Sequence, residues 1–139
     1  MAKRGDGAPY SVIIPISETR TTGVAGAAAG APGNDCARFY VPSFPDSVGI
    51  VVRSAKLFVS DEIGTATGQF DINNQTTTML TTSLSVTAVG SADFTLAGDG
   101  QEVVAAGRYI RIDAGQGAGT WNATSGFAGC SVQIDYDRL

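Results

Sequence analysis

Residues 48–59 read Val48-Gly-Ile-Val-Val-Arg-Ser-Ala-Lys-Leu-Phe-Val59, and this stretch decides the fold class. Apolar side chains alternate with small or polar ones, which is the two-residue period of a half-buried β-strand. The apolar positions have even numbers in the first half and odd numbers in the second: Val48, Ile50 and Val52, then Ala55, Leu57 and Val59. A bulge near Arg53 and Ser54 is therefore predicted, because it would keep both sets facing the core.

The same alternation recurs on both sides of this stretch, with turn residues in between. Strands are predicted at residues 37–41, 48–59, 68–72, 84–88, 93–96, 103–104, 108–113 and about 127–136. Their predicted inward side chains include Phe70, Ile72, Phe94, Leu96, Ile110, Ile112, Val132 and Ile134. The pattern predicts an all-β protein, a jelly-roll-like β-sandwich of about seven to eight strands with an extended N-terminal arm. The arm and a Gly/Ala-rich linker are assigned to residues 1–35, and the β-sandwich domain to residues 36–139.

The predicted arm contains one strand-like run, Tyr10-Ser-Val-Ile-Ile-Pro-Ile16. Pro15 lacks the backbone donor that a central strand needs, so the run is either an edge strand or a strand lent to a neighbouring chain. The residues predicted to contact a partner protein or a neighbouring protomer are Lys3, Arg4, Tyr10, Val12, Ile14, Ile16 and Arg20.

Charge and hydropathy exclude several classes of protein. The 139-residue chain has a net charge of −4, which is unlike that of a nucleic-acid binder, so no nucleic-acid partner is expected. No stretch is long and apolar enough to span a membrane, so no membrane association is expected. The start of the chain lacks the apolar region of a secretory signal, which predicts that the protein is synthesised in the cytoplasm without a signal peptide.

Reactive side chains are scarce. The chain has no His, which removes the usual catalytic triads and most zinc sites, and the remaining carboxylates form no calcium-loop motif. We therefore predict a protein that is not an enzyme, with no catalytic residues, no cofactor and no metal. The two cysteines, Cys36 and Cys130, are expected not to pair, because alternation places Cys36 on the outward face of its strand and Cys130 on the inward face.

A Gly-rich segment before the last strand contains Trp121, the single tryptophan, followed by Asn122. An exposed indole can stack on a sugar, so these two residues are the candidate contacts of a carbohydrate-binding or receptor-binding module. A tryptophan in such a loop also commonly closes the end of a sandwich or lies in a subunit contact, and this second interpretation is preferred.

The order of features resembles a known family. These features are Ala37-Arg-Phe-Tyr-Val-Pro42, a long strand ending Ala55-Lys-Leu-Phe-Val59, Ala97-Gly-Asp-Gly-Gln101, and Val104-Ala-Ala-Gly-Arg-Tyr-Ile110 before a Gly-rich loop. Over about residues 36–137 the chain is similar to the small jelly-roll proteins of tailed bacteriophages that serve as capsid decoration (cement) or head-fibre proteins. Residues 1–35 lie outside the resemblance.

The resemblance implies a structural virion protein. Its expected location is the outer capsid surface, where homotrimers would bind the major capsid protein and stabilise the phage head without catalysis. The alternative that the same resemblance leaves open is a host-receptor or carbohydrate-binding module of a phage fibre or tail.

Overall fold

The computed structural model describes residues 10–16, 35–43, 45–60, 68–75, 77–116 and 129–139. These residues form β-strands joined by turns, and none of them is helical. The strands are β1 (Tyr10–Pro15), β2 (Asp35–Tyr40), β3 (Gly49–Val59), β4 (Gly68–Asn74), β5 (Thr77–Thr78), β6 (Leu84–Val86), β7 (Gly90–Asp93), β8 (Val103–Ala105), β9 (Tyr109–Gln116) and β10 (Cys130–Arg138). The predicted all-β class is confirmed.

Two antiparallel sheets pack face to face. Sheet A has the order β1-β10-β3-β7, with β8 also paired to β3, and sheet B has the order β2-β9-β4-β5, with β6 also paired to β4. Because β7 and β8 pair with successive parts of β3, they share one strand position, and β5 and β6 share another beside β4. The eight resulting positions follow the strand order of a jelly roll, as predicted.

The core lies between the two sheets and is filled by the inward residues of every long strand. Its fully buried members include Leu57, Phe70, Ile72, Met79, Val104, Ile110, Ile112, Val132 and Ile134. Side chains of successive residues in a strand point to opposite faces, so a two-residue spacing of apolar residues supplies one continuous apolar face per sheet. The predicted inward residues of β4, β9 and β10 are confirmed.

A bulge in β3 keeps that strand's two apolar sets on the same face. Asp135 pairs with Ser54 and Tyr136 pairs with Val52, so Arg53 is the extra residue. Arg53 and Ser54 are both exposed, whereas Val52 and Ala55 on either side are buried. The predicted bulge is therefore confirmed at Arg53.

The predicted alternation of inward and outward side chains is wrong at two places where the backbone is irregular. Val48, predicted to face inward, is 75% exposed, because Gly49 has a φ of 156° and interrupts the extended backbone. A shift of register between Asp35 and Ala37 lets Cys36 pack against the core together with Ala37, so the predicted outward position of Cys36 is wrong. Both cysteines are thiols, with Cys36 in sheet B and Cys130 in sheet A.

The predicted strand at residues 93–96 is displaced toward the N-terminus. The strand there, β7, begins at Gly90 and ends at Asp93. Phe94 is buried as predicted, and Leu96 is half-buried and forms an isolated bridge with Leu80. The residues before Asp93 are small and contribute little apolar area on either face, so the sequence shows no apolar alternation there.

The strand-like run of the predicted arm is an edge strand of the same chain. β1 pairs with β10 from Tyr10 opposite Tyr136 to Pro15 opposite Ser131. Ile14 and Ile16 are buried in the core, and Pro15 is on the outer edge, where its missing N–H costs no ladder hydrogen bond. Of the region assigned to the arm, Tyr10–Pro15 thus belongs to sheet A and Asp35 to β2 of sheet B, and residues 1–9 and 17–34 lie outside the described residues.

Candidate functional site

Four side chains gather on the outer face of sheet B where β2 and β9 run side by side. Phe39 of β2 packs against the core and Ile110 and Ile112 of β9 lie within it, so the residues between them point away from it. The register places Tyr40 opposite Tyr109 and Arg38 opposite Arg111. We call Arg38, Tyr40, Tyr109 and Arg111 the β2–β9 patch.

The tyrosines and Arg38 hold one another in place. The Tyr40 and Tyr109 rings have centroids 5.3 Å apart and are inclined by 54°. The Arg38 guanidinium carbon lies 4.4 Å from the Tyr109 ring centroid, a cation–π geometry, and Arg38 Nη1 donates a hydrogen bond to Tyr40 Oη over 3.2 Å. Tyr40 is nevertheless 58% exposed. The patch therefore presents an aromatic ring and a guanidinium to solvent in a fixed arrangement.

A buried carboxylate positions the second guanidinium. Asp113 is buried on the outer side of β9 and accepts hydrogen bonds from Arg111 Nη2 and from Asn73 Nδ2, each over 2.8 Å. Charge-assisted bonds of this kind are stronger than neutral ones, particularly where water is excluded. Asp113 therefore orients the Arg111 guanidinium from the buried side. The Arg111 side chain is still 28% exposed, so it remains accessible to solvent.

Asp71 adds a second carboxyl beside this network, directly opposite Asp113 in the register. Burial raises the pKa of the Asp71 carboxyl above its ordinary value, and hydrogen bonds from the Thr78 hydroxyl and the Ile72 N–H oppose the shift without cancelling it. This carboxyl is therefore harder to ionise than a solvent-exposed one. Sheet B thus carries guanidiniums near its β2 edge and carboxyls toward its centre.

A small cavity of about 180 Å³ lies at the end of the sandwich where β10 ends. It is lined by Tyr10, Pro42, Ser47, Ile50, Tyr136 and Arg138. The Tyr10 and Tyr136 rings stack on each other with centroids 5.7 Å apart, and Phe39 packs against Tyr136 at 6.1 Å. Tyr10 and Tyr136 thus pack against each other, and Tyr136 also packs against Phe39 of the other sheet. The cavity therefore lies where the two sheets contact each other.

The predicted contact residues fall into two groups. Lys3, Arg4, Arg20, Trp121 and Asn122 lie outside the described residues. Tyr10 and Val12 are half-buried in β1, and Ile14 and Ile16 belong to the core. The role of all these residues as contacts stays a prediction, and in this arrangement Ile14 and Ile16 would reach a partner only if β1 left sheet A.

Within the described residues, no group of three or more Cys, Asp or Glu side chains is placed to hold a metal ion. No helix in that part of the chain has the length and apolar character needed to cross a membrane.

The residues of the β2–β9 patch do not stand out in the sequence. The available signal is the composition of the outward positions of two predicted strands, where Arg and Tyr replace the usual Ser and Thr in Arg38-Phe-Tyr40 and Tyr109-Ile-Arg111. Tyr and Arg are among the side chains most enriched at energetically important contacts between proteins. The pairing of the two strands, which makes one patch of them, is not visible in the sequence.

Comparison with known proteins adds no relative. Neither the protein-family models, nor the curated proteins, nor the solved structures contain a match to this chain. The strand order and the β2–β9 patch are therefore the features from which a function can be proposed.

Proposed function

We propose that this protein is a structural virion protein, a capsid decoration or cement protein that binds the outside of a bacteriophage head and acts without catalysis. Its partners in this proposal are the major capsid protein and further copies of itself in a homotrimer. The observation that carries the proposal is the β2–β9 patch, an exposed Tyr and Arg surface held rigidly on a sheet.

A rigid sheet face is suited to stabilising a particle by contact alone. The side chains of the patch are already oriented by each other and by Asp113, so little conformational entropy is lost when a partner binds. Burying the exposed part of Tyr40 removes apolar area from water at roughly 25 cal/mol per Å². The jelly-roll strand order agrees with the resemblance to phage decoration proteins, and fold by itself does not decide function.

Labelling of intact particles tests the proposal. Virions from cultures that express this protein would be purified, stained negatively and probed with gold-coupled antibody raised against the full chain. We expect label over the heads, at a density of many copies per particle. Label confined to tails or fibres, or found only with unassembled protein, would contradict a decoration role.

Carbohydrate or receptor recognition is the second candidate function, and one observation favours it. Tyr40 presents an exposed aromatic ring beside Tyr109, so a sugar would have a stacking contact in addition to Trp121. Titration of the full chain with neutral oligosaccharides, followed by tyrosine and tryptophan fluorescence, separates the two functions. Saturable binding that is lost in Tyr40→Ala would favour recognition over decoration.

A further inference from the structure

The β2–β9 patch contains two arginines side by side, one of which, Arg111, is bonded to the buried Asp113. Arg38 and Arg111 are a directly opposed cross-strand pair, so two positively charged side chains leave the same face of adjacent strands. Like charges placed opposite each other destabilise a sheet. At position 38 a Ser or Thr would avoid this cost, whereas Arg111 is also the charge partner of the buried Asp113. Two neighbouring guanidiniums on an outer sheet face are suited to an anionic ligand.

Each guanidinium is oriented in advance. Asp113 holds Arg111 from the buried side of the pair, and the Tyr109 ring and the Tyr40 hydroxyl hold Arg38. Planar, pre-oriented guanidiniums bind carboxylates through two parallel N–H donors, a geometry that lysine cannot reproduce. The exposed Tyr40 ring beside them supplies apolar contact area.

We propose that the β2–β9 patch binds carboxylate side chains on the surface of a protein partner. The proposal rests on the proposed function, in which that partner is the capsid lattice, and it names the chemistry by which the lattice is recognised. The complementarity is between the two guanidiniums and isolated Asp or Glu side chains, with Tyr40 covering the aliphatic part of the contact.

The surroundings of the patch favour this partner over other anionic ones. Asp113 and Asp71 lie next to Arg111, and the chain carries a net charge of −4, so an extended polyphosphate would meet repulsion close to its contacts. The inclination of 54° between the two rings, together with Arg38 over the Tyr109 ring, leaves no flat two-ring platform for a saccharide. A protein surface with separated carboxylates meets neither obstacle.

Binding of a synthetic peptide with single glutamates separated by Gly-Ser spacers to the full-length chain at low salt, measured by isothermal titration calorimetry, tests this inference without any virus particle. We expect saturable binding that Arg38→Ala weakens about tenfold, the effect of losing one charge-assisted contact. Arg38→Lys, which keeps the charge and loses the fork geometry, should weaken it several-fold. Arg53→Ala is the matched control, because Arg53 is an exposed arginine on the outer face of sheet A, paired with Asp137 at 2.7 Å. This control should change binding less than about twofold.

The outcomes are distinct. Absence of binding, or equal losses in Arg38→Ala and Arg53→Ala, would overturn the inference, whereas gold labelling of heads would still support the proposed function. Tighter binding of hyaluronate, a carboxylated polysaccharide, than of the glutamate peptide would also overturn it in favour of a saccharide. Thermal unfolding of each variant shows whether a loss of binding reflects a loss of folding. Tyr40→Ala removes the exposed ring and the hydroxyl that holds Arg38, so it should also reduce the affinity if the inference holds.

Discussion

Gly49 is a residue at which the backbone of this fold tolerates no side chain. It has a φ of 156° and begins β3, where that strand passes close to β8. A Cβ atom at Gly49 would lie 2.4 Å from the Val104 carbonyl oxygen and 2.9 Å from the Ala105 Cα. Both neighbours are backbone atoms of a paired strand, so neither can move without breaking the β3–β8 ladder.

Gly49→Ala should therefore destabilise the protein by about 2–3 kcal/mol, the cost of an overpacked site in a close-packed interior. Gly98→Ala is the control, because Gly98 has a φ of 71° and a Cβ added there would have no atom within 4 Å. Only the left-handed backbone penalty of about 1 kcal/mol applies at that position. Urea denaturation measures both values. Equal losses of unfolding free energy in the two variants would show that β8 leaves room for a Cβ atom at Gly49.

Asp71 and Asp135 predict opposite effects of pH on stability. Burial raises the pKa of Asp71, so its contribution to stability is fully present below the unfolded-state pKa and is lost as the pH rises through the folded-state pKa. The hydrogen bond donated by the Ser11 hydroxyl, with further ones from Gln133 and Ser54, lowers the pKa of Asp135. The stability that Asp135 contributes is present above its unfolded-state pKa and is lost as the pH falls through the folded-state pKa.

The free energy of unfolding of Asp71→Asn, relative to that of the unsubstituted chain, should consequently increase as the pH rises from about 3 to about 7. The relative free energy of unfolding of Asp135→Asn should decrease over the same interval. Free energies of unfolding from urea denaturation at the two pH values check both signs. Changes of the same sign for the two variants would contradict the assignment of burial as the dominant cause at Asp71.

At the scale of elements, β1 forms one edge of sheet A. It covers the edge of β10 and contributes Ile14 to the core, with Ile16 buried just beyond its end, while Ile13 is 62% exposed. A strand with this burial pattern stabilises the body to which it is paired. The same run has no charged residue to discourage pairing with another chain, and Pro15 is its one edge-protecting residue.

Ile14→Ala and Ile16→Ala should each lower the free energy of unfolding by about 2–4 kcal/mol, because each leaves a cavity in the core. Ile13→Ala, one position away in the same strand, should change it by less than about 0.5 kcal/mol. Thermal and urea unfolding of the three variants distinguish them. If all three were equally mild, β1 would be an arm that contributes nothing to the stability of the sandwich.

At the scale of the whole molecule, the β2–β9 patch lies toward one end of the sandwich. Tyr40 ends β2 and Tyr109 begins β9, so the aromatic part of the patch is near that end. Within sheet A, the end of β1, the end of β3 and the start of β10 lie together, as the pairs Pro15 with Ser131 and Val59 with Cys130 require.

The exposed apolar side chains predict self-association. Ile13, Tyr40, Val48, Val89, Val103 and Leu139 are the large ones among the described residues. For the homotrimer of the proposed function, multi-angle light scattering of the purified chain at micromolar concentration should give the mass of three 14.2-kDa chains, because association would remove part of such surface from water. A mass of one chain under these conditions would contradict a stable trimer in solution.

The sequence by itself determined most of the strands, most of their inward faces and the bulge at Arg53, because alternation of apolar residues is a local property of each strand. Tertiary structure alone decided that β1 pairs with β10, that Val48 points outward, and that β2 lies beside β9. These outcomes depend on which apolar faces fit together across long stretches of chain, and no local period records that choice. The β2–β9 patch exists only through such a pairing, so its four residues became a candidate site only once the sheet had formed.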